Sequence, residues 1–152
     1  MHSVVVVALS TPIHVGVYDE NNSLIETTIS KEKSSEILAT IFEKLLLKYE
    51  FKSIVYANGP GSFMAIKVSY IFLKTLSIVK NIPFFATDAF YFNKNRPIKA
   101  VGKLYFVKTL NKITTQPIDN VEPSVFELPK KINFDDFTTE TLPFYGISAI
   151  GN

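Results

Sequence analysis

The stretch YANGPGSF, residues 56–63, joins a short apolar run to a segment of helical periodicity over residues 63–80. The run before it, Ser53–Tyr56, predicts a buried strand, and Ile82–Thr87 predicts another strand after the helix. Strand, glycine-containing turn, helix and strand form a βαβ unit, whose strands are parallel and whose crossover is right-handed. This unit predicts an α/β fold.

The residues before this unit predict three further strands. Val4–Leu9 is apolar without alternation, which indicates a central strand buried on both faces. Ile13–Tyr18 predicts a second strand, Asp19–Asn22 a hairpin loop and Ser23–Ser30 a third strand. We therefore expect a mixed sheet whose first three strands form an antiparallel meander.

The first helix is predicted over residues 35–49, with Ser34 as its N-cap. Leu47 falls on its polar side, and packing against the sheet does not account for it. The remaining apolar residues form one stripe at helical spacing, which the sheet is expected to cover; they are Ile37, Leu38, Ile41, Phe42, Leu45, Leu46 and Tyr49.

The second helix, residues 63–80, has two apolar faces separated by Lys67 and Lys74. A crossover helix needs one apolar face against its sheet. The other apolar face is either covered by the rest of this chain or presented to a partner, and the periodicity does not distinguish these two possibilities. One face holds Met64, Val68, Ile71, Phe72, Thr75 and Val79, and the other holds Ile66, Tyr70 and Leu73.

The glycine turn matches no nucleotide-binding signature. A Walker loop ends in Lys-Ser/Thr, where this chain has Phe63-Met64, and a dinucleotide fingerprint needs three glycines, where only Gly59 and Gly61 are present. Backbone N–H groups at a helix start can still bind an anion. Pattern alone favours a structural turn in which Gly61-Ser62 caps the helix.

Composition narrows the function classes. A length of 152 residues suits one domain, 47% hydrophobic residues suit a globular chain, and a formal charge of +2 gives no reason to expect nucleic acid. The absence of cysteine excludes disulfides and thiolate chemistry.

Two single residues are candidates for a functional site. His14 has no histidine or carboxylate partner at metal-binding spacing, and the position of Asp88 after a strand is compatible either with a helix cap or with a ligand residue. No segment resembles a signal or membrane span, so we expect a cytoplasmic protein with no membrane contact.

Beyond Lys99 the pattern weakens. Residues 100–108 predict one strand or a short hairpin, and prolines 117, 129 and 143 exclude a long helix. The aromatic residues that follow predict a segment folded back as short strands and loops. We therefore expect an N-terminal domain, residues 1–99, with a shortened C-terminal segment, residues 100–152, packed on it.

Four short motifs in order make the chain resemble the TsaB family, also called YeaZ, a partner protein in making N6-threonylcarbamoyladenosine on tRNA. The resemblance covers residues 4–92 and implies an actin-like ATPase fold, of ribonuclease H-like type, with a reduced second subdomain. The motifs are Ser10-Thr11-Pro12, Ser35-Glu36, Gly59-Pro60-Gly61-Ser62-Phe63 and Asn81-Ile82-Pro83.

The departures from the family pattern bear on function. Ala8 stands where the family has an aspartate, and Leu9 stands where it has threonine. In the wider fold a carboxylate at that position helps to hold metal and phosphate, so Ala8 removes the best candidate for a magnesium-linked ATP site. Met64-Ala65-Ile66-Lys67 replaces the family's Thr-Gly-Leu-Arg, which keeps the charge and loses a glycine.

The resemblance implies a noncatalytic scaffold subunit. It would bind and activate a TsaD-like catalytic subunit in a heterodimer made by helices 35–49 and 63–80, and help to recruit a TsaE-like ATPase. It implies no catalytic residue, metal or cofactor of its own, ATP and metal on partner subunits, and indirect contact with tRNA. The expected partner-binding residues are Leu38, Phe42, Leu45, Phe63, Met64, Lys67, Tyr70, Ile71 and Lys74.

Two alternatives stay open. In isolation the same surface could pair two copies of this chain about a two-fold axis. The chain could instead be a small actin-fold ATPase or kinase-like enzyme that binds nucleotide at the Gly59–Ser62 turn. Ala8 argues against that enzyme, and we expect neither ATPase nor peptidase activity from the chain itself.

Overall fold

A computed structural model describes residues 1–122 and 125–146. Its main sheet has five strands in the order β3-β2-β1-β4-β5. Strands β1, β2 and β3 pair antiparallel, and β4 and β5 continue the sheet parallel to β1. This confirms the meander and the βαβ unit. The strands are β1 His2–Val7, β2 Ile13–Tyr18, β3 Leu24–Ser30, β4 Phe51–Ala57 and β5 Phe84–Thr87.

Two helices, α1 at Ser34–Lys48 and α2 at Phe63–Lys80, cover one face of this sheet. The prediction of Ser34 as N-cap is wrong by one position. Lys33 is the N-cap, and its carbonyl accepts hydrogen bonds from the N–H groups of Glu36 and Ile37. Ser34 is therefore the first helical residue.

Each helix ends in a different way. At the end of α1, Lys48 Nζ and the Tyr49 hydroxyl both reach Glu26 Oε1 on β3, at 2.7 and 2.6 Å. At the end of α2, Asn81 adopts a left-handed conformation, φ 55° and ψ 49°. A residue in this conformation lets the chain reverse and redirects it into β5.

The opposite face of the main sheet is covered by the rest of the chain. A 3-10 turn, Ala89–Phe92, packs there together with a second, antiparallel sheet of strands β6 Ile98–Lys99, β7 Leu104–Thr109 and β8 Lys112–Pro117. The strand or hairpin predicted within residues 100–108 is too short, because the hairpin extends to Pro117. The sequence KITTQP gives little strand signal, since it is polar and ends in proline, which an edge strand tolerates.

The C-terminal segment is hydrogen-bonded to the main sheet. The Tyr18 hydroxyl donates to the Pro129 carbonyl at 2.6 Å. Ala86 and Thr138 exchange N–H to carbonyl bonds at 2.8 and 2.9 Å. Residues 123–124 and 147–152 of the predicted C-terminal segment lie outside the described residues.

Candidate functional site

The turn between β4 and α2 depends on a glycine. Gly59 has φ +125°, and a Cβ atom there would lie 1.9 Å from the carbonyl oxygen of Phe144. The N–H of Phe144 in turn donates to the Asn58 carbonyl at 2.7 Å. The C-terminal segment therefore lies directly on the turn, and only glycine fits between them.

The second half of the turn packs against the end of β1. A Cβ atom on Gly61 would lie 2.8 Å from the Leu9 carbonyl oxygen, and the N–H of Ser62 donates to that same oxygen at 2.7 Å. Ser62 is the N-cap residue of α2, as predicted, although its hydroxyl makes no cap hydrogen bond within the described part of the chain. These contacts make the turn a structural element that starts α2.

Asp88 follows β5 and acts as a cap. Its Oδ1 accepts a hydrogen bond from the N–H of Phe90 at 3.0 Å, and its Oδ2 lies 2.5 Å from Lys108 Nζ. Both carboxylate oxygens thus have partners in the chain, which favours the capping interpretation. Over residues 1–122 and 125–146, no group of three or more histidine, aspartate or glutamate side chains could hold a metal ion.

The α1 residues predicted to bind a partner are not at the surface. Leu38, Phe42 and Leu45 are buried in the core between α1 and the sheet. The ring of Phe42 meets Phe72 of α2 edge-on, with centroids 5.5 Å apart. The prediction that these three contact a partner is therefore wrong, because the sheet needs the only continuous apolar stripe that α1 has.

The structure decides which face of α2 is inside. Ile66, Ser69 and Leu73 are buried, and Tyr70 is half-buried with its ring stacked on Phe84. Tyr70 therefore packs partly on the inner side, and its role in partner binding stays a prediction. The face that carries Met64 and Ile71 points outward.

The outer face of α2 is apolar and exposed. Phe63 is 53% exposed, Met64 60% and Ile71 53%, and the exposed Lys67 and Lys74 lie on the same helix. We define the outer face of α2 as Phe63, Met64, Lys67, Ile71, Lys74, Ile78 and Val79.

Sequence reasoning missed part of this surface. Ile78 and Val79 are more exposed than Ile71, and Leu47 on α1 is 87% exposed. Val79 stood on a predicted apolar face, and Leu47 stood out as an apolar residue among polar ones. Ile78 gave no separate signal, since one further apolar residue near the end of an apolar helix is ordinary.

Solved structures share this fold. YeaZ from Pseudomonas aeruginosa superposes with a TM-score of 0.64 at 11% sequence identity, over 80% of this chain and 69% of that chain. The fold is YeaZ-like. A second structure, described as an uncharacterized protein with similarity to peptidase YeaZ from Pseudomonas aeruginosa, gives 0.56 at 12% identity over 80% and 66% of the two chains. No protein-family model matches the sequence, and no curated protein matches it.

Within this YeaZ-like fold, a hydrogen bond and a ring contact hold the C-terminal segment next to the glycine turn. The buried Tyr56 hydroxyl donates to the Thr141 carbonyl, and burial raises the pKa of that hydroxyl. Phe63, at the start of α2, stacks on Tyr145 with ring centroids 4.3 Å apart. One end of the outer face of α2 is thus partly covered by the chain, and the rest of that face is open.

In the described residues, no helix is both long enough and apolar enough to cross a membrane.

His14 lies on β2, where burial lowers the pKa of its imidazole and the charge of Glu127 partly opposes that effect. His14 is thus half-buried on the sheet.

Proposed function

We propose that this protein is a noncatalytic subunit of the complex that makes N6-threonylcarbamoyladenosine on tRNA, and that it binds and activates a TsaD-like catalytic subunit. The observation that carries the proposal is the exposed apolar outer face of α2 on a YeaZ-like fold. The four sequence motifs that resemble the TsaB family support it independently. The proposal includes the actin-like, ribonuclease H-like classification of the fold.

The outer face of α2 has the composition of a protein-binding surface. Exposed apolar side chains are ordinary when single, and a contiguous set on one helix face indicates a binding site. Met64 and Ile71 lie two turns apart on this face, and we expect them to act as apolar anchors. Lys67 and Lys74 can pack their apolar stems beside these anchors and keep their charges at the rim, where charges set orientation.

The burial of Leu38, Phe42 and Leu45 changes the expected contribution of α1. These side chains hold α1 on the sheet. From α1 the exposed apolar candidate is Leu47. We therefore propose an interface made mainly by α2, with α1 contributing its outer residues.

The remaining parts of the proposal concern chemistry and location. ATP and metal would be bound by the partner subunits, and this chain would have no cofactor of its own. A TsaE-like ATPase would join the complex, tRNA would be contacted indirectly, and the complex would work in the cytoplasm. In isolation, the outer face of α2 could pair two copies of this chain.

The alternative is a small actin-fold ATPase or kinase-like enzyme that binds nucleotide at the Gly59–Ser62 turn. Ala8 at the end of β1 and the hydrogen bond from Ser62 N–H to Leu9 disfavour it. Measured ATP hydrolysis by the purified chain, abolished by Ser62→Ala, would support the enzyme and overturn the scaffold proposal.

The scaffold proposal is tested by co-purification with a TsaD-like protein from the same cell. Ile71→Glu should weaken the complex by at least about tenfold, because a charge in the centre of an apolar interface is desolvated without a partner. The matched control is Ile29→Glu, since Ile29 on β3 is 59% exposed and does not belong to the outer face of α2.

Both variants should keep the wild-type melting temperature, because each changes an exposed side chain. Equal capture of the Ile71→Glu and wild-type proteins would show that the interface is wrong. If the wild-type chain captures no TsaD-like protein, the functional proposal itself fails.

A further inference from the structure

A groove of about 540 Å³ lies where the β1–β2 connection meets the start of both helices. Its volume falls within the range of small-molecule sites, about 300–1,000 Å³. The polar part of its lining includes Ser10, Thr11, Lys33, Ser35 and Ser62. The groove shares Ser62 with the glycine turn and does not include the Asp88–Lys108 pair.

Both helices direct their N-terminal ends toward this groove. Lys33 and Ser34 begin α1, and Ser62 precedes α2, so the first turn of each helix contributes to the lining. The first N–H groups of a helix have no acceptor within the helix, and they carry a partial positive charge. Such ends favour an anionic ligand, but they do not by themselves make a site.

The second observation is a buried hydroxyl without a partner. Ser34 lines the groove and is 6% exposed, and its Oγ has no hydrogen-bond partner among the described residues. Burying a hydroxyl without a hydrogen bond is unfavourable, and native structures satisfy nearly all such groups. A ligand oxygen in the groove would supply the missing partner.

The rest of the lining is apolar. It includes Ile13, Met64 and Val68, so a ligand with an apolar body would bury hydrophobic surface in the groove. A small inorganic ion would leave these apolar residues uncovered. The ligand that matches both kinds of lining residue is therefore amphipathic, with one polar head and an apolar tail.

The charge of the groove selects the head group. Among the described residues that line it, Lys33 is the one charged side chain, and Glu36 in the first turn of α1 adds an opposing charge nearby. Polyphosphates need several cations or a metal ion, and Ala8 at the end of β1 supplies no carboxylate for a metal. One lysine, two helix ends and hydroxyl groups suit a monoanion.

From these observations we propose that the groove binds a small monocarboxylate with an apolar tail. The carboxylate would accept hydrogen bonds from the Ser34 hydroxyl and from the first N–H groups of α1 and α2, with Lys33 beside it. The tail would lie on Ile13, Met64 and Val68. This inference does not rest on the proposed TsaD-like partner, and it concerns the isolated chain.

The test is calorimetric titration of the purified protein with hexanoate, followed by amide NMR. We expect saturable binding of hexanoate, with the largest shifts at Ser34, Ser35 and Met64. Hexanol has the same tail without the charge and should bind at least about tenfold more weakly, since hydrogen bonds to a charged group are the stronger ones. Inorganic phosphate, which lacks the tail, should show no saturable binding.

The critical variant is Ser34→Ala, which should weaken hexanoate binding by about tenfold. Its matched control is Ser3→Ala, because Ser3 at the start of β1 is also buried and its Oγ also has no hydrogen-bond partner in the described part of the chain. A second pair, Lys33→Ala and Lys80→Ala, removes the same charge at the groove and at the far end of α2. Only the first member of each pair should lose affinity.

Four results would overturn the proposal. They are no saturable binding of hexanoate, equal binding of hexanol, amide shifts centred outside the groove, and unchanged affinity in both Ser34→Ala and Lys33→Ala. If Ser34→Ala does not fold, the lysine pair and the wild-type NMR shifts decide the question. Binding of ATP or phosphate in place of hexanoate would also contradict a monocarboxylate site.

Discussion

The two helices lie on the same face of the sheet and differ in what they present to solvent. Helix α1 buries its single apolar stripe and exposes polar residues, with Leu47 as the exception. Helix α2 buries Ile66, Ser69 and Leu73 and still exposes an apolar outer face. A helix needs only one apolar face to cover a sheet, so packing against the sheet does not account for the apolar outer face of α2. A surface that folding does not require indicates a role in binding.

The largest effect expected from this difference is on stability. Phe42→Ala should lower the free energy of unfolding by about 3–5 kcal/mol, because it opens a cavity between α1, α2 and the sheet. Met64→Ala removes a side chain that is mostly exposed and should change stability by less than about 0.5 kcal/mol. Urea unfolding followed by circular dichroism measures both. If the two variants lost similar amounts of unfolding free energy, Phe42 on α1 and Met64 on α2 would not differ in their contribution to the core.

A smaller loss is expected at the turn that starts α2. Gly59→Ala should cost about 1–3 kcal/mol from the positive φ alone, and more because its Cβ would meet the Phe144 carbonyl. Gly102→Ala is the matched control, since Gly102 has φ +58° and no atom within 4 Å of the added Cβ. It should cost about 1–2 kcal/mol. Equal losses at both glycines would show that the C-terminal segment does not press on the turn.

The smallest effect concerns the end of α1. The hydrogen bonds from Lys48 and Tyr49 lower the pKa of the Glu26 carboxyl below its usual value of 4.5. A lowered pKa in the folded state gives stability that is present above pH 4.5 and is lost as the pH falls through the folded value. Glu26→Gln should abolish this part of the pH dependence.

Unfolding measured from pH 6 down to pH 3 in wild type and in Glu26→Gln checks this prediction. The difference in stability between the two proteins should shrink toward the acid end, and added salt should reduce it because the group is near the surface. A constant difference across the range would mean that the ionised carboxylate does not hold α1 to β3.

Much of the architecture could be predicted because it depends on local pattern. The apolar run at Val4–Leu9, the βαβ unit around YANGPGSF and the meander are each encoded by residues that are neighbours in the chain. The exposed position of Leu47 was also predictable, because it breaks the polar side of α1. The polar strand β8 and the start of α1 at Ser34 were not, since neither has a strong local signal.

The candidate site was predicted less well than the fold. Periodicity gave α2 two apolar faces and could not say which one meets the sheet. The resemblance to the TsaB family gave Leu38, Phe42 and Leu45 from the apolar stripe of α1 as partner-binding residues, although these three are buried. Both outcomes have one cause. An apolar side chain is equally suited to a buried core and to a protein–protein interface, so the sequence pattern does not distinguish the two.

By itself, the sequence determined the order of strands and helices, the glycine turn and the absence of a nucleotide-binding signature. Only the tertiary structure decided that Gly59 lies under the Phe144 carbonyl and that Met64 and Ile71 face outward. It also decided that Ser34 Oγ is buried with no partner within residues 1–122 and 125–146. The physical reason is that helix and strand periodicity arises from neighbours along the chain. Burial, close approach and exposure arise from residues far apart in sequence, which meet only after the sheet and its two covering layers have assembled.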